Sequence, residues 1–357
     1  VNGQSVDGNS ISFKALEKIT VEGEVLDASG QLVTDFTGIV NPTVKDSKVT
    51  VTCLKNSNKD DSPAFTFTDY PNTIFIGNDS VRNGKFSFTF TVPKDISYSN
   101  LQGKMNLYAV DTESGNEAQG NFDNFIVGGT SDTAETDTIG PEIRALYLND
   151  TTFMDGGQVN TTPYFVAELW DKSGVNITGS SVGHDMMLVI DESTVLSYNL
   201  NSYYELLPGE DGTGIVKFPI PALEPGKHTA EFWVWDILNN STVRTFTFEV
   251  VEGLKPFLFD VIATPGIARE QVTFHLMHNR PESRMRVGIM VYDLAGRQLW
   301  KHEESGTSGL FENYTVSWDL TSGGARMRPG VYIYRAAIST DNSKDATKAR
   351  KFIILGE

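Results

Sequence analysis

The sharpest candidate for chemistry in this sequence is His184 beside Asp185, in a Gly-His-Asp triplet. A histidine next to a carboxylate could act as a general base or as a metal ligand. Either role needs a second ligand or a nucleophile at a recognisable spacing, and the sequence offers none. The alternative is a turn in which both side chains hydrogen-bond the local backbone, and we favour that interpretation.

Two acidic turns that end predicted strands could hold a cation. They are residues 171–176 (DKSGVN) and 236–240 (DILNN). Calcium takes six to eight hard oxygen ligands, often from loops of this kind. The spacing is not that of an EF-hand, however, and Asp and Asn are ordinary turn residues. If Ca²⁺ binds here, the candidate ligands are Glu168, Asp171, Asp236 and Asn239, with Asp155 as an alternative to Glu168.

Two aromatic pairs could bind a sugar. Trp233 and Trp235 lie two residues apart on one predicted strand, so they share a face and could stack on a glycan. Packing of a sandwich face is the alternative that we favour. Tyr203 and Tyr204 are a similar case, which we interpret as a loop anchor rather than a ligand platform.

Histidines and arginines cluster loosely near residue 280. His275 and His278 have no carboxylate partner in their segment, so surface positions are expected rather than a metal pair. Arg280, Arg284 and Arg286 form a small basic cluster. We expect a solvated face, with binding of an anionic partner as the alternative.

Cys53 is the only cysteine, which rules out an internal disulfide. Its segment, residues 50–54, is strand-like, so we predict a small buried residue. A cysteine peptidase would need a histidine near the thiolate, and all five histidines lie at residue 184 or later. No Gly-x-Ser-x-Gly elbow is present either. We therefore expect a non-catalytic chain.

Length and composition predict an all-β protein of several domains. The 357 residues exceed one ordinary domain, and 32 Gly with 14 Pro favour strands joined by turns. No stretch of 18 apolar residues could span a membrane as a helix. The sequence begins without a basic segment or an apolar run, so we predict no signal peptide and expect a fragment or a processed form.

Alternating apolar and polar residues divide the chain into three strand-rich modules. Asn83-Gly84 is a strong signal for a hairpin turn inside the first of them. The spacing of strands and turns in the middle of the chain favours an immunoglobulin-like sandwich. We predict tandem β-sandwich modules at residues 1–130, 141–253 (immunoglobulin-like) and 254–357, with an acidic linker at 131–140.

The net charge of −17 is unevenly distributed over these modules. Residues 131–253 hold 5 basic and 19 acidic side chains, whereas residues 254–357 hold 14 basic and 11 acidic ones. An acidic middle argues against nucleic-acid binding there, and the last module is too weakly basic to suggest it. The change of sign near residue 254 marks a domain boundary.

The third module resembles the C-terminal domain of proteins exported by the type IX secretion system of Bacteroidetes. Three segments carry the resemblance: residues 291–297 (VYDLAGR), 329–335 (PGVYIYR) and the terminal 351–355 (KFIIL). The family usually opens with Asn-Pro, where this chain has Thr264-Pro265. That departure weakens the opening motif only.

The upstream modules look similar to the region after the peptidase domain in the PorU family, the gingipain-related sortases (peptidase family C25-like) of the same system. The segments that carry this likeness are residues 16–25, 93–98, 125–129, 140–143, 171–176, 183–185 and 235–240. The family's cysteine–histidine peptidase domain would precede Val1, so no catalytic residue carries over to this chain.

The resemblance implies a protein of the cell surface, associated with the outer membrane. The parent enzyme would remove C-terminal sorting domains from type IX cargo and attach the cargo to anionic lipopolysaccharide. The chain's own third module would be retained and would dock on a PorV-like outer-membrane barrel. The docking residues implied by its motifs are Tyr292, Asp293, Gly296, Arg297, Trp318, Pro329, Gly330, Tyr332, Tyr334, Lys351 and Phe352.

Two other functions remain open at this point. The chain could be the stalk of another exported protease or adhesin whose third module is a cleavable sorting signal. Alternatively, its modules could bind glycans through Trp233, Trp235 or the Tyr203-Tyr204 pair.

Overall fold

The computed structural model describes residues 1–6, 11–54, 63–132, 137–179, 183–207, 212–340 and 342–356. It is 55% strand and 1% helix, which confirms the all-β prediction. No helix among the described residues is long and apolar enough to cross a membrane. The chain forms two compact units: Val1–Leu146 with Ala167–Lys217 and Ala230–Thr245, and Tyr147–Val166 with Phe218–Thr229 and Phe246–Glu357.

The first module forms twelve described strands. They are β1 (Ile11–Ala15), β2 (Lys18–Glu24), β3 (Gly38–Lys45), β4 (Val49–Thr52), β5 (Thr66–Asp69), β6 (Thr73–Ile76), β7 (Asp79–Val81), β8 (Lys85–Thr91), β9 (Leu101–Gln102), β10 (Lys104–Asp111), β11 (Glu117–Phe122) and β12 (Phe125–Thr130). The period-two pattern explains which side chains are buried: Phe86, Phe88 and Phe90 of β8 point into the core and the residues between them face outward.

The sheets of the first module enclose an aromatic core. Strands β11, β10, β3 and β6 form one sheet in that order, with β7 also pairing with β3. Strands β1, β12 and β9 form another, and β2 pairs with β8. The rings of Phe13 and Phe125 stack at 4.3 Å, and Phe75 stacks on Phe90 at 4.7 Å. Burial of such side chains is the main stabilising term of a β-sandwich.

The Asn83-Gly84 turn is confirmed. Asn83 and Gly84 have φ angles of 53° and 73°, as a two-residue type I′ hairpin requires. The backbones of Arg82 and Lys85 exchange hydrogen bonds of 2.8 and 3.0 Å across the turn. A Cβ on Gly84 would lie 2.4 Å from the carbonyl oxygen of Val33, so this position requires glycine.

Residues 141–253 contribute nine strands and a single-turn 3₁₀ helix (Asn201–Tyr203). The strands are β13 (Glu142–Leu148), β14 (Gly157–Val159), β15 (Tyr164–Trp170), β16 (Met187–Ile190), β17 (Ser197–Asn199), β18 (Tyr204–Leu206), β19 (Thr213–Pro219), β20 (Gly226–Trp235) and β21 (Ser241–Val250). They form two sheets, β13-β15-β19-β18 and β14-β21-β20-β16-β17.

The third module contains ten strands. They are β22 (Leu258–Thr264), β23 (Ile267–Ala268), β24 (Val272–His278), β25 (Met285–Tyr292), β26 (Gln298–Gly306), β27 (Tyr314–Trp318), β28 (Thr321–Ser322), β29 (Ala325–Arg326), β30 (Gly330–Ser339) and β31 (Ala346–Ile354). Strands β22, β24 and β27 form one sheet, and β23, β31, β30, β25 and β26 form the other. A single buried cluster, which includes Phe274, Ile289 and Tyr334, fills this module.

The prediction that Cys53 is buried is wrong: its side chain is exposed. It extends the hairpin of β4 and β5, where its N–H donates to the carbonyl of Phe65 at 2.9 Å. Residues opposite one another share a face, so Val51, Cys53, Phe65 and Phe67 lie on one side of the ribbon. No other described strand pairs with this hairpin, and Phe65 is 69% exposed. A strand-like pattern predicts alternation, but burial also requires something to cover the strand.

Cys53 is therefore expected to react with a thiol reagent in the native chain. Reaction with Ellman's reagent should proceed without denaturant, at a rate within about tenfold of the urea-unfolded chain. Because an exposed side chain contributes little to packing, Cys53→Ser should leave the unfolding free energy within about 0.5 kcal/mol of wild type. Protection of the thiol until the chain unfolds would show that this hairpin face is covered.

Candidate functional site

Three carboxylates, those of Asp137, Asp171 and Asp236, have oxygens within 4.8 Å of one another. Asp171 directly follows β15 and Asp236 directly follows β20, so the ends of two strands place them. Asp137 comes from the segment predicted as a linker. Its side chain accepts a hydrogen bond from Ser173 Oγ at 2.7 Å, and its carbonyl accepts one from Asn240 Nδ2 at 3.1 Å. The turns at residues 171–176 and 236–240 therefore both hydrogen-bond to Asp137 of that segment.

Asp171 and Asp236 also organise their own turns. The Oδ1 atom of Asp171 accepts the backbone N–H of Ser173 and of Gly174, at 2.7 and 2.9 Å. The Oδ1 atom of Asp236 likewise accepts the N–H of Leu238 and of Asn240, at 2.9 and 2.7 Å. These are Asx turns, in which the side chain takes the place of a backbone acceptor.

Burial sets this cluster apart from an ordinary pair of turns. Burial raises the pKa of Asp171 to about 6, against hydrogen bonds from Gly174 and Ser173 that lower it, and the nearby carboxylates of Asp236 and Asp137 raise it as well. Burial also raises the pKa of Asp236. Buried like charges destabilise one another, so either a proton or a bound cation would relieve the cluster.

The structure brings together only two of the four predicted calcium ligands. Glu168 is half-buried within β15 and is not among the clustered carboxylates. Asn239 instead donates through Nδ2 to Asp95 Oδ1 at 2.9 Å. The alternative ligand Asp155 accepts hydrogen bonds from the backbone N–H and the hydroxyl of Thr247, at 2.6 and 2.8 Å. Calcium binding stays a prediction, with Asp137 in place of Glu168.

His184 pairs with a carboxylate that the sequence analysis did not consider. Its Nδ1 atom lies 2.6 Å from Asp95 Oδ2, and its ring lies 4.5 Å from that of Trp235. Asp95 also accepts from Asn176 Nδ2 at 3.3 Å. The expectation of local backbone contacts for His184 is wrong, because a loop of the first module reaches it from 89 residues away. No local pattern could have indicated this partner.

Asp185, the other half of the predicted pair, accepts a hydrogen bond from Asn201 Nδ2 at 2.7 Å. Asn201 in turn accepts the backbone N–H of Met186 through Oδ1 at 2.8 Å. The two side chains of the Gly-His-Asp triplet thus have different partners, and neither is joined to a nucleophile among the described residues.

The paired tryptophans do not pack inside the sandwich. Phe232 and Val234 of β20 are fully buried, so Trp233 and Trp235, which alternate with them, lie on the opposite face and are half-buried. Trp233 Nε1 donates to Glu231 Oε2 at 3.3 Å. The two rings share one face of the sheet, as expected, and that face is the outer one. Glycan binding stays a prediction.

The adjacent tyrosines also alternate. Tyr203 is exposed, whereas Tyr204 is buried in β18, and burial raises the pKa of Tyr204 well above its usual range. The Cβ position of Gly214 lies against the Tyr204 ring, which allows that close approach. Tyr204 thus anchors the segment, as predicted, and the pair does not form a continuous aromatic platform.

Four of the residues predicted for docking belong to the core of the third module. Trp318, Tyr332, Tyr334 and Phe352 are at most 7% exposed. Trp318 stacks on Trp300 at 4.4 Å and donates through Nε1 to the carbonyl of Thr321 at 2.8 Å. Their side chains are thus available for packing and not for a partner.

The tyrosine hydroxyls in this core are bonded to the backbone. Tyr334 donates to the carbonyl of Val261 at 3.0 Å, and Tyr332 donates to that of Arg328 at 2.7 Å. These bonds satisfy the polar ends of two buried rings, which would otherwise cost stability.

The remaining predicted docking residues are accessible to different degrees. Asp293 accepts the N–H of Ala295 and of Arg297 at 3.0 and 2.9 Å, and it forms an ion pair with Arg297 at 3.1 Å. This network and the positive φ of Gly296 (82°) form the tight turn between β25 and β26. Those exposed are Gly296, Arg297, Pro329 and Lys351, and those half-buried are Tyr292, Asp293 and Gly330.

The basic cluster near residue 280 is only partly solvated. Arg280 is 1% exposed, so the expectation of a surface position is wrong for it, whereas Arg284 and Arg286 are exposed. The guanidinium of Arg280 donates to the carbonyls of Asn279 and Leu254, both at 3.1 Å. These hydrogen bonds allow the charge to be buried, because they replace those to water.

His278 is held as a neutral ring. The N–H of Arg280 donates to its Nδ1 at 3.1 Å, so that nitrogen carries no proton, while Nε2 lies 2.9 Å from Ser308 Oγ. Burial lowers the pKa of His278 to about 4, and the charge of Arg280 adds to the effect. His275 and His278 are both half-buried, so neither is fully on the surface as expected.

Comparison with solved structures finds a match that combines full coverage of this chain with substantial sequence identity. The structure of dimeric latent PorU from Porphyromonas gingivalis matches 100% of this chain with 38% sequence identity and a TM-score of 0.43. This chain is a PorU-like segment. The conclusion depends on the sequence identity over the full length and agrees with the motifs of all three modules. The chain spans about a third of that protein, since the match covers 33% of the PorU chain.

Two further matches are far more distant. The Ig1-2 module of the Drosophila receptor tyrosine phosphatase DLAR is 9% identical over 61% of this chain and 100% of its own, with a TM-score of 0.25. SGBP-B of the Bacteroides ovatus mixed-linkage glucan utilization locus, solved in complex with a mixed-linkage heptasaccharide, is 9% identical over 100% of this chain and 69% of its own, with a TM-score of 0.28. No protein-family model matches the PorU-like chain, and no curated protein matches it significantly.

The acidic cluster of this PorU-like chain predicts a stability that depends on pH. The folded-state pKa of Asp171, about 6, lies above the ordinary value of 3.8, so the folded state binds the proton more tightly and stability falls as pH rises from about 4 to 6. Each pKa unit corresponds to about 1.4 kcal/mol, so Asp171→Asn in EDTA should be up to about 3 kcal/mol more stable than wild type at pH 7. Urea unfolding at pH 4 and pH 7 measures the difference.

The Asp111→Asn variant is the control for this experiment, and added calcium is a second comparison. In Asp111 the pKa is lowered to about 2 by hydrogen bonds from Ser114 and Thr37, so Asp111→Asn should destabilise the chain at neutral pH instead. If the cluster binds Ca²⁺, millimolar calcium should raise the Tm of wild type and not of Asp171→Asn. An Asp171→Asn chain less stable than wild type in EDTA would show that the carboxylates do not repel one another.

His278 gives the opposite dependence on pH. Because its folded-state pKa of about 4 lies below the ordinary 6.5, the unfolded chain binds the proton first and stability falls as pH drops from about 6.5 to 4. The loss should reach about 3 kcal/mol at about 1.4 kcal/mol per pKa unit. In a His278→Gln chain, the pH 7 and pH 4.5 unfolding free energies should differ by less than in wild type. An unchanged difference would contradict the neutral, buried assignment.

Proposed function

We propose that this chain is the non-catalytic scaffold and docking region of a PorU-like sortase exported to the cell surface. The parent enzyme would cleave C-terminal sorting domains from type IX cargo and attach the cargo to anionic lipopolysaccharide. The third module would remain on the protein and dock on a PorV-like outer-membrane barrel.

The observation that carries this proposal is the 38% identity to PorU over the full length of the chain. The third module adds structural support, because it has its own buried cluster and its own pair of sheets. A domain that packs its own core is suited to serve as an attachment unit that persists after export.

The competing proposal is that the third module is a cleavable signal on a different exported protein. Lys255 and Pro256 lie in a segment without regular secondary structure just before β22, where a protease could cut. Buried Arg280 hydrogen-bonds the Leu254 carbonyl at 3.1 Å in this same segment, which favours retention over removal. The fate of the module therefore separates the two proposals.

Mass spectrometry of the protein recovered from intact cells tests which proposal is right. We expect peptides from residues 258–356 to be as abundant as those from residues 11–130. The same cells should yield a co-purified PorV-like barrel when the full chain is affinity-purified in mild detergent.

Two results would overturn the docking proposal. The first is a mature protein that ends near Gly253 on the cell surface. The second is a full-length protein that retains the third module and purifies without the barrel, under conditions in which an authentic type IX cargo captures it.

A further inference from the structure

The second sheet of the third module has an outer face that no described strand covers. In the order β23, β31, β30, three side chains stand opposite one another: Ile267 pairs with Ile353, and Ile353 pairs with Val331. Residues in direct register point to the same side of a sheet. Their neighbours Ala268, Ile354 and Tyr332 are buried, so this row points away from the core.

The row is apolar and open to solvent. Ile267 is 56% exposed, Val331 40% and Ile353 36%. Three adjacent β-branched residues on neighbouring strands form a continuous strip. Single exposed apolar residues are normal, but contiguous ones on a flat surface mark interaction sites.

Cations border the row on the same face. Lys351 is two residues from Ile353 on β31, and Arg335 is four residues from Val331 on β30. Met290 of β25 pairs with Arg335 on one side and with Lys301 of β26 on the other, so Lys301 lies on the same face. Lys301 forms an ion pair with Glu303 at 2.8 Å. Arg335 and Lys351 form no ion pair with any described residue, so their charges remain available.

We propose that this outer face, formed by Ile267, Val331 and Ile353 with Arg335 and Lys351, docks on an acidic protein surface. The inference rests on the proposed function, since it says which surface of the third module makes the attachment. The apolar row supplies contact area, and the two free cations complement carboxylates of the partner. It differs from the motif residues Trp318, Tyr332, Tyr334 and Phe352, which are buried.

A protein partner fits this face better than an anionic polysaccharide. A polysaccharide would be recognised by cations and polar groups, and the central row offers neither. Apolar side chains in register on a flat sheet face instead complement another folded surface, with the charges at its rim.

Binding of the full-length chain to the purified PorV-like barrel of the same organism in detergent tests the inference. We expect Val331→Ser with Ile353→Ser to weaken binding at least tenfold, and Arg335→Glu to slow association. Ile262→Ser is the matched control, because Ile262 is 47% exposed on β22 of the other sheet. Arg244→Glu makes the same charge change at an exposed position of β21, outside the third module. Both controls should bind as wild type does, and all variants should retain its Tm.

Binding by wild type with undiminished binding by the outer-face variants would overturn this inference and leave the proposed function intact. Failure of wild type to bind the barrel would overturn the proposed function and the inference together. Vesicles with anionic lipopolysaccharide provide a third arm. If the outer-face variants lose vesicle binding and keep barrel binding, the face serves a lipid surface and the inference is wrong.

Discussion

The interaction on which this chain most depends is an aspartate carboxylate that accepts backbone N–H groups at the turn between two strands. Asp27, Asp111, Asp171, Asp236 and Asp293 all make it. A chain that is nearly all strand consists of ladders joined by tight turns, and a turn amide without a ladder partner costs about 1–3 kcal/mol if it is buried and left unpaired. The aspartate carboxylates accept hydrogen bonds from these amides and so fix the conformation of the turn. The turn fixes the register, which decides the side chains that face the core.

The balance between hydrogen bonds and loss of hydration determines how the same interaction shifts the pKa of the aspartate. Where the hydrogen bonds outweigh the loss of hydration, the pKa falls, as in Asp293 and in buried Asp111, for which it is about 2. Where turns converge below the surface, loss of hydration dominates and the pKa rises, to about 6 in Asp171. Because the carboxylates of Asp236 and Asp137 lie close to that of Asp171, the stability of this part of the chain is expected to depend on protons and cations.

Local pattern predicted the strands but not the contacts between distant segments. The alternation in β8 and the Asn83-Gly84 turn depend on neighbours in sequence, so both could be predicted. Asp95 and His184 are 89 residues apart, and nothing in either segment indicates the other. Cys53 shows the same limit for burial, because its strand has the expected alternation and lies in a hairpin that no described strand joins.

The motifs that make the third module recognisable chiefly hold its core together. Tyr332, Tyr334 and Phe352 point inward, and the hydroxyls of the two tyrosines bond the backbone. Because side chains alternate along a strand, each of them has an outward neighbour on the same strand: Val331 beside Tyr332, and Ile353 beside Phe352. Core positions must keep their shape for the sandwich to pack, whereas outward positions can change without disturbing it. Similarity at these core positions thus reports the fold, whereas the proposed docking surface consists of the outward positions that alternate with them.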